Sequence, residues 1–364
     1  MNGPVARGPA RKLRLLLVLI LVIAAGTASS SSPDIDPLQF DDTPLDELLH
    51  YPDWFKQSFL DLDDDLQEAV DAGKKGIVVY FGQKRCAYCK MLMEVNFQTP
   101  DIVSYTQKHF DVVPIDIWSP EQLTTPSGET LSEREFSQEL GTNFTPSLVF
   151  YDAEGRIALR LRGYYPPYQF RAALEYVAGG HYLREKFPVY MARGDKTLRF
   201  EAGDLVEEAF FSPPPYNLDR SRFRAELPLV VFFEQGDCHA CDILHTQPLR
   251  RQTVRGLFDR FESVQLDIHS DVPLVKPDGN RSTASEWARE LGIFYAPSIL
   301  FFDEHGKEII RVDSVVHLFR LRNVLNYIVS RGYVTEPNFL RWSSRTRRVL
   351  DAPLPMDQEQ NVAR

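Results

Sequence analysis

The residues of this chain best suited to chemistry are its four cysteines, which fall into two pairs, Cys86-Ala87-Tyr88-Cys89 and Cys238-His239-Ala240-Cys241. Such pairs can staple a fold, hold a metal or exchange electrons. As staples they are poorly placed. A bridge closing a four-residue loop restrains the unfolded chain by about 2 kcal/mol, against about 5 kcal/mol for one closing ~150 residues. A four-cysteine zinc site uses pairs roughly 15–20 residues apart, whereas Cys238 lies 152 positions after Cys86. Redox exchange needs a thiolate at a helix N-terminus, where unpaired N–H groups and the helix dipole favour the anion. It also needs a second thiol one turn on, to resolve the mixed disulfide. Each pair has that setting: an apolar run, a short polar turn, the first cysteine, then a helical pattern. Two further classes stay open. One is a chaperone or binding module with little turnover. The other is thiolate trafficking of Cu(I) or zinc, against which the chain offers no Met-rich or His-rich tract.

The elements that must position these cysteines occur twice. Val78-Val79-Tyr80-Phe81 precedes Cys86, and Val230-Val231-Phe232-Phe233 precedes Cys238. Both runs are β-branched and aromatic and predict buried central strands. Beyond the cysteines the offset becomes 151: Ile115-Asp116-Ile117 matches Leu266-Asp267-Ile268, Leu140-Gly141 matches Leu291-Gly292, and Thr145-Pro146-Ser147 matches Ala296-Pro297-Ser298. Strands are predicted at Leu148–Tyr151 and Ile299–Phe302. Turns follow at Asp152–Gly155 and Asp303–Gly306, with hairpin partners at Ile157–Leu161 and Glu308–Val312. Strands alternating with helices, and a late hairpin, imply an α/β fold with a central mixed sheet flanked by helices, present twice in tandem.

Length and composition set the frame. The 364 residues suit two domains. With 43% hydrophobic residues each can bury a core unaided, and a net charge of -10 argues against nucleic acid as partner. Residues 1–28 read as a signal peptide: Arg7, Arg11, Lys12 and Arg14, then the apolar run Leu15 to Ala25, then Gly26-Thr27-Ala28. Residues 29–50 read as a poorly ordered leader, 51–182 as the first domain, 183–225 as a stiff connection around Pro213-Pro214-Pro215, 226–345 as the second domain and 346–364 as a frayed tail. Asp53 to Ala72 reads as an amphipathic helix with Trp54, Phe55 and Phe59 at core spacing.

An apolar strand, Cys-x-x-Cys at a helix start and an X-Pro 57 residues (Cys89 to Pro146) or 56 residues (Cys241 to Pro297) later resemble the thioredoxin-like superfamily. Cys86-Ala87-Tyr88-Cys89, Pro126-Ser127-Gly128, Phe144-Thr145-Pro146-Ser147 and Gly163-Tyr164-Tyr165 resemble its periplasmic SoxW-like branch. The resemblance implies roles: Cys86 and Cys238 as partly exposed attacking thiols, Cys89 and Cys241 as buried resolving thiols, and Pro146 and Pro297 as cis prolines beside them. Thr145 and Ala296 would then pair their backbone with a substrate peptide. It also implies an oxidoreductase outside the cytoplasm, in the periplasm, reducing protein disulfides with electrons from a membrane thiol carrier. No bound cofactor or metal is needed, and the chain is expected to be a monomer. Thioredoxin carries a buried Asp six residues before its first cysteine; here those positions are Tyr80 and Phe232, so that proton relay is absent.

Local charge separates the two sites. Lys84 and Arg85 precede Cys86 and favour its thiolate, whereas Glu234, Asp237 and Asp242 surround Cys238 and disfavour it. His239, when protonated, offsets part of that. Cys86 is therefore expected to have the lower pKa and the faster alkylation. Tyr88 is expected to be a surface aromatic facing substrate.

Overall fold

In the computed structural model of this chain, which describes residues 36–194 and 205–350 besides Met1 and Gly3, both predicted central strands lie in the middle of a sheet. The first half runs α1 (Leu62–Asp71), β1 (Gly76–Gly82), α2 (Ala87–Glu94), α3 (Pro100–His109), β2 (Phe110–Asp116), β3 (Gln122–Thr124), β4 (Thr130–Ser132), α4 (Glu133–Glu139), β5 (Ser147–Asp152), β6 (Ile157–Arg162), α5 (Pro167–Ala178) and α6 (Phe187–Gly194). The second runs β7 (Tyr216–Asn217), β8 (Leu229–Glu234), α7 (His239–Thr246), α8 (Gln252–Phe258), β9 (Glu262–Asp267), β10 (Pro273–Val275), β11 (Arg281–Thr283), α9 (Ala284–Leu291), β12 (Ser298–Phe302), β13 (Glu308–Val312), α10 (Leu318–Val329), α11 (Gly332–Thr335) and α12 (Phe339–Leu350).

The two main sheets have the same order, β2-β1-β5-β6 and β9-β8-β12-β13. The strand before each cysteine pair is parallel to one neighbour and antiparallel to the other. Side chains alternate across a strand. Ile77, Val79 and Phe81 therefore pack on Leu62, Leu66 and Phe136, while Val78 and Tyr80 pack on Leu92, Ile102 and Phe170. In the second sheet Val231 and Phe233 face Trp287, and Val230 and Phe232 face Phe258 and Val324.

Several boundaries differ from the sequence reading. The helix expected over Asp53 to Ala72 is confined to α1, because Asp61 caps it by accepting the Asp64 N–H (3.1 Å). Phe55 is buried, but Phe59 is fully exposed just before Leu60, whose φ of 64° turns the chain. The stretch 183–225 is more than a connection. Its α6 packs Phe187 on Tyr176, Phe210 and Phe211 join the second core, and β7 pairs with β10. Residues 37–50 of the expected loose leader are tied down, with Leu45 and Leu49 N–H groups donating to Arg85 and Lys84 carbonyls. The expected signal peptide apart from Met1 and Gly3, residues 29–35 of the leader, and residues 351–364 of the tail lie outside the described residues. Among the described residues, no helix is long and apolar enough to cross a membrane.

A buried polar cluster anchors α7. His245, one turn beyond Cys241, faces Glu234 at the end of β8 (Nε2–O 3.0 Å) and Glu208 (Nδ1–O 3.2 Å). Gln265 donates to Glu234, and Arg255 to Glu208. Burial by itself pulls the imidazole pKa down, but Glu234 and then Glu208 outweigh it and hold the group above its ordinary value. A raised folded pKa means that the stabilisation is complete below the ordinary histidine value of about 6.5 and fades as pH rises through the folded value. Urea unfolding should thus show stability falling as pH rises above the ordinary histidine value of about 6.5. His245→Leu should cost about 3–5 kcal/mol by leaving Glu234 buried without its cation, and should remove that pH dependence. A flat wild-type profile over this range would show that the imidazole is not charged in the fold.

Candidate redox sites

Cys86 and Cys238 are the N-cap residues of α2 and α7. Each first sulfur accepts the backbone N–H of its second cysteine, at 3.0 and 3.1 Å. That contact places the sulfur where a helix N-terminus stabilises negative charge. Each pair is joined as a disulfide within its own domain, with Cα atoms 5.1 Å apart. The Thr145–Pro146 and Ala296–Pro297 bonds are cis, and the residue before each proline touches the first sulfur: Thr145 Oγ1 at 3.4 Å from Cys86, and the Ala296 carbonyl at 3.6 Å from Cys238. Among the described residues, no group of three His, Cys, Asp or Glu side chains could hold a metal ion.

The surroundings differ between sites. At the first, Trp118 Nε1 donates to Gln83 Oε1, and Gln83 Nε2 donates to the Thr145 hydroxyl, both at 2.9 Å. The hydroxyl proton is left to point at Cys86 Sγ. Ala296 has no hydroxyl, so the second site lacks this donor. The charges expected to act on the cysteines are partly spent elsewhere. Lys84 reaches Asp116 at 3.8 Å, and Glu234 is held by His245 rather than facing Cys238. Arg85, Asp237 and His239 are exposed.

The resemblance implies a partly exposed first cysteine in each pair; both are instead buried, Cys86 being 5% and Cys238 8% accessible. Tyr88 does not face solvent either. Its hydroxyl donates to Asp42 (2.8 Å) and accepts the His317 N–H (3.0 Å), and the Arg320 guanidinium lies 3.3 Å over its ring. Asp42 also accepts the N–H groups of Phe319 and Arg320 at the start of α10, both at 2.8 Å. Arg320 Nη2 donates to the Thr145 carbonyl (2.9 Å), and Asn338 donates to the Thr142 carbonyl. Residues 42, 317–320 and 338–339 thus cover the first pair. Sequence reasoning missed them because no local pattern links Cys86 to a residue 44 positions before it or more than 200 positions after it. At the second site, by contrast, His239 is exposed and Ala240 and Ala296 are half-buried.

Two dicysteine helices, each with an X-Pro loop against its first sulfur, define a thiol–disulfide oxidoreductase in the general sense. The sequence pattern of the thioredoxin-like domain family matches residues 62–178 and again 224–328, more than half of the chain, which therefore belongs to that family. Solved structures similar to it include a thioredoxin-fold protein from Helicobacter pylori (22% identical, covering 34% of this chain and 87% of that one, TM-score 0.31). Others are DsbH oxidoreductase (17% identical, 36% and 91%, TM-score 0.26) and a thioredoxin from Thermus thermophilus (23% identical, 32% and 83%, TM-score 0.26). No curated protein matches the chain.

Two outcomes follow. A hydrogen bond to a charged group contributes about 1.5–3 kcal/mol. Thr145→Ala, in a chain with Cys238 and Cys241 replaced by Ser, should therefore raise the Cys86 pKa by about one to two units, read from thiolate ultraviolet absorbance against pH. An unchanged value would mean that the hydroxyl points away from the sulfur. Second, in the reduced intact protein Cys238 should be alkylated before Cys86, because cover outweighs the flanking cations. Asp42→Ala removes three bonds from that cover and should speed Cys86 alkylation by about tenfold or more, the equivalent of 1.4 kcal/mol. Iodoacetamide mapping by mass that finds Cys86 first in the intact protein would refute this.

Proposed function

We propose that this protein is an exported thiol–disulfide oxidoreductase that reduces disulfides in protein partners outside the cytoplasm. The observation that carries the reading is the pair of Cys-x-x-Cys motifs whose first sulfurs cap helices beside X-Pro loops. In each site the first thiolate attacks one sulfur of the partner disulfide and releases the other as a thiol. The second thiolate then attacks the mixed disulfide, so that two electrons and two protons pass to the partner and the site ends as a disulfide. Re-reduction falls to a thiol carrier in the membrane. Export is supported by the basic and apolar stretch at residues 7–25. The reducing direction is supported by the resemblance of Cys86-Ala87-Tyr88-Cys89 and Gly163-Tyr164-Tyr165 to the SoxW-like branch.

Turnover of insulin disulfides with dithiothreitol as donor tests the activity. The wild-type chain should accelerate it, and the variant carrying both Cys86→Ser and Cys238→Ser should fall to the uncatalysed background. A wild-type rate equal to background would favour a binding module instead. N-terminal sequencing of protein recovered from the periplasm of a Gram-negative host should find a start near residue 29.

A further inference from the structure

The first site has its substrate edge occupied by its own chain. A peptide that docks as an extra strand needs the backbone groups next to the X-Pro bond. The Thr145 carbonyl is already taken by Arg320, the Thr142 carbonyl by Asn338, and Thr145 is only 2% accessible. What remains open over Cys86 is a cleft of about 120 Å³ between the two domains. A cavity of about 150 Å³ accommodates benzene, so this cleft suits a ligand portion of roughly half a dozen heavy atoms. Its polar wall is formed by Gln83, Arg85, Asn323 and Ser343. Asp42, the one acid in the lining, is bonded to Tyr88 and to two helix N–H groups. The exposed Arg85 guanidinium then makes the mouth selective for a carboxylate.

We propose that the first site exchanges disulfides with small, carboxylate-bearing thiols and excludes polypeptide, which is left to the second site; this rests on the oxidoreductase reading above. The step balances. The Cys86 thiolate attacks a small disulfide RSSR, forming a Cys86–S–SR bond and releasing RS⁻. The Cys89 thiolate then attacks Cys86 Sγ and releases the second RS⁻. The dithiol is oxidised, RSSR is reduced to two RSH, and the two protons are those of the original thiols. Run in reverse, the same step loads the site with electrons from two small thiols.

Two full-length variants separate the sites: C238S/C241S keeps only the first, and C86S/C89S only the second. Each is reduced and mixed with cystine, with cystamine (similar in size but without carboxylates) or with insulin, and disulfide formation is followed by acid quench and mass. The first site alone should show a cystine-to-insulin rate ratio about tenfold or more above that of the second. It should also prefer cystine to cystamine, and R85Q should abolish that preference. R320A, which frees the Thr145 carbonyl, should shift the first-site ratio toward insulin; the comparison of the two cysteine variants stands even if R320A fails to fold. Equal ratios at the two sites, or a first site that reacts with none of the three while the second reduces insulin, would overturn the proposal and leave the oxidoreductase reading intact. Failure of both sites with every disulfide would overturn that reading itself. Cystamine reacting as fast as cystine would remove the carboxylate from the ligand class.

Discussion

Asp42 is a carboxylate taken almost wholly out of water, and such a group is tolerated only when its oxygens are filled. Its donors come from two distant parts of the chain: the Tyr88 hydroxyl between the first two cysteines, and the Phe319 and Arg320 N–H groups in the first turn of α10. The N-terminus of α10 also offers the positive end of its dipole. Satisfying this one acid therefore lays residues 37–50 over the first domain, turns Tyr88 inward and seats α10 on the first cysteine pair. Arg320 follows, with its guanidinium on the Tyr88 ring and its Nη2 on the Thr145 carbonyl. A desolvated cation over an aromatic face contributes about 2 kcal/mol, which helps offset the burial of both charges.

The second constraint is the way the repeats meet. Gly163 and Ser314 occupy the same position in the two repeats, and they touch: a Cβ on Gly163 would come within 2.0 Å of Ser314 Oγ. Gly163 also has φ 97°, so both space and backbone require glycine there. The next residues are equivalent as well, and the Val315 N–H donates to the Tyr164 carbonyl (3.2 Å). Contact between equivalent positions is the mark of a two-fold type of interface, here within one chain. The cores interleave across it. Phe144 belongs to the second domain's core, and Tyr295 and Val315 to the first's.

Within that frame the repeats have diverged where chemistry is set. The first has the Thr145 hydroxyl on its sulfur and a cover of α10 and α12. The second has Ala296, an exposed His239 and, beneath its dicysteine helix, the Glu234–His245–Glu208 cluster. Gly82 and Met93 stand at the first-repeat positions of Glu234 and His245. The two sites thus differ in donors, in access and in the charge buried behind them, although their sheets and helices superimpose in order.

Sequence alone determined what depends on near neighbours along the chain. Alternating apolar residues specify β1, β5, β8 and β12. Ser132-x-x-Glu135 and Thr283-x-x-Glu286 form capping boxes at matching positions of the repeat, and the cysteine spacing places both sulfurs at helix starts. Access was decided only in three dimensions. Tyr88 looks like a surface residue when judged by its neighbours in sequence, and it is buried because its hydroxyl donates to Asp42 and accepts the N–H of His317, 229 positions away. The same holds for residues 37–50, part of the stretch 29–50 whose Ser-, Asp- and Pro-rich composition signals looseness until Asp42 finds its donors. Periodicity and propensity report on a residue's own element; which side chain covers a sulfur depends on how two folded domains fit together, and that information resides in long-range packing.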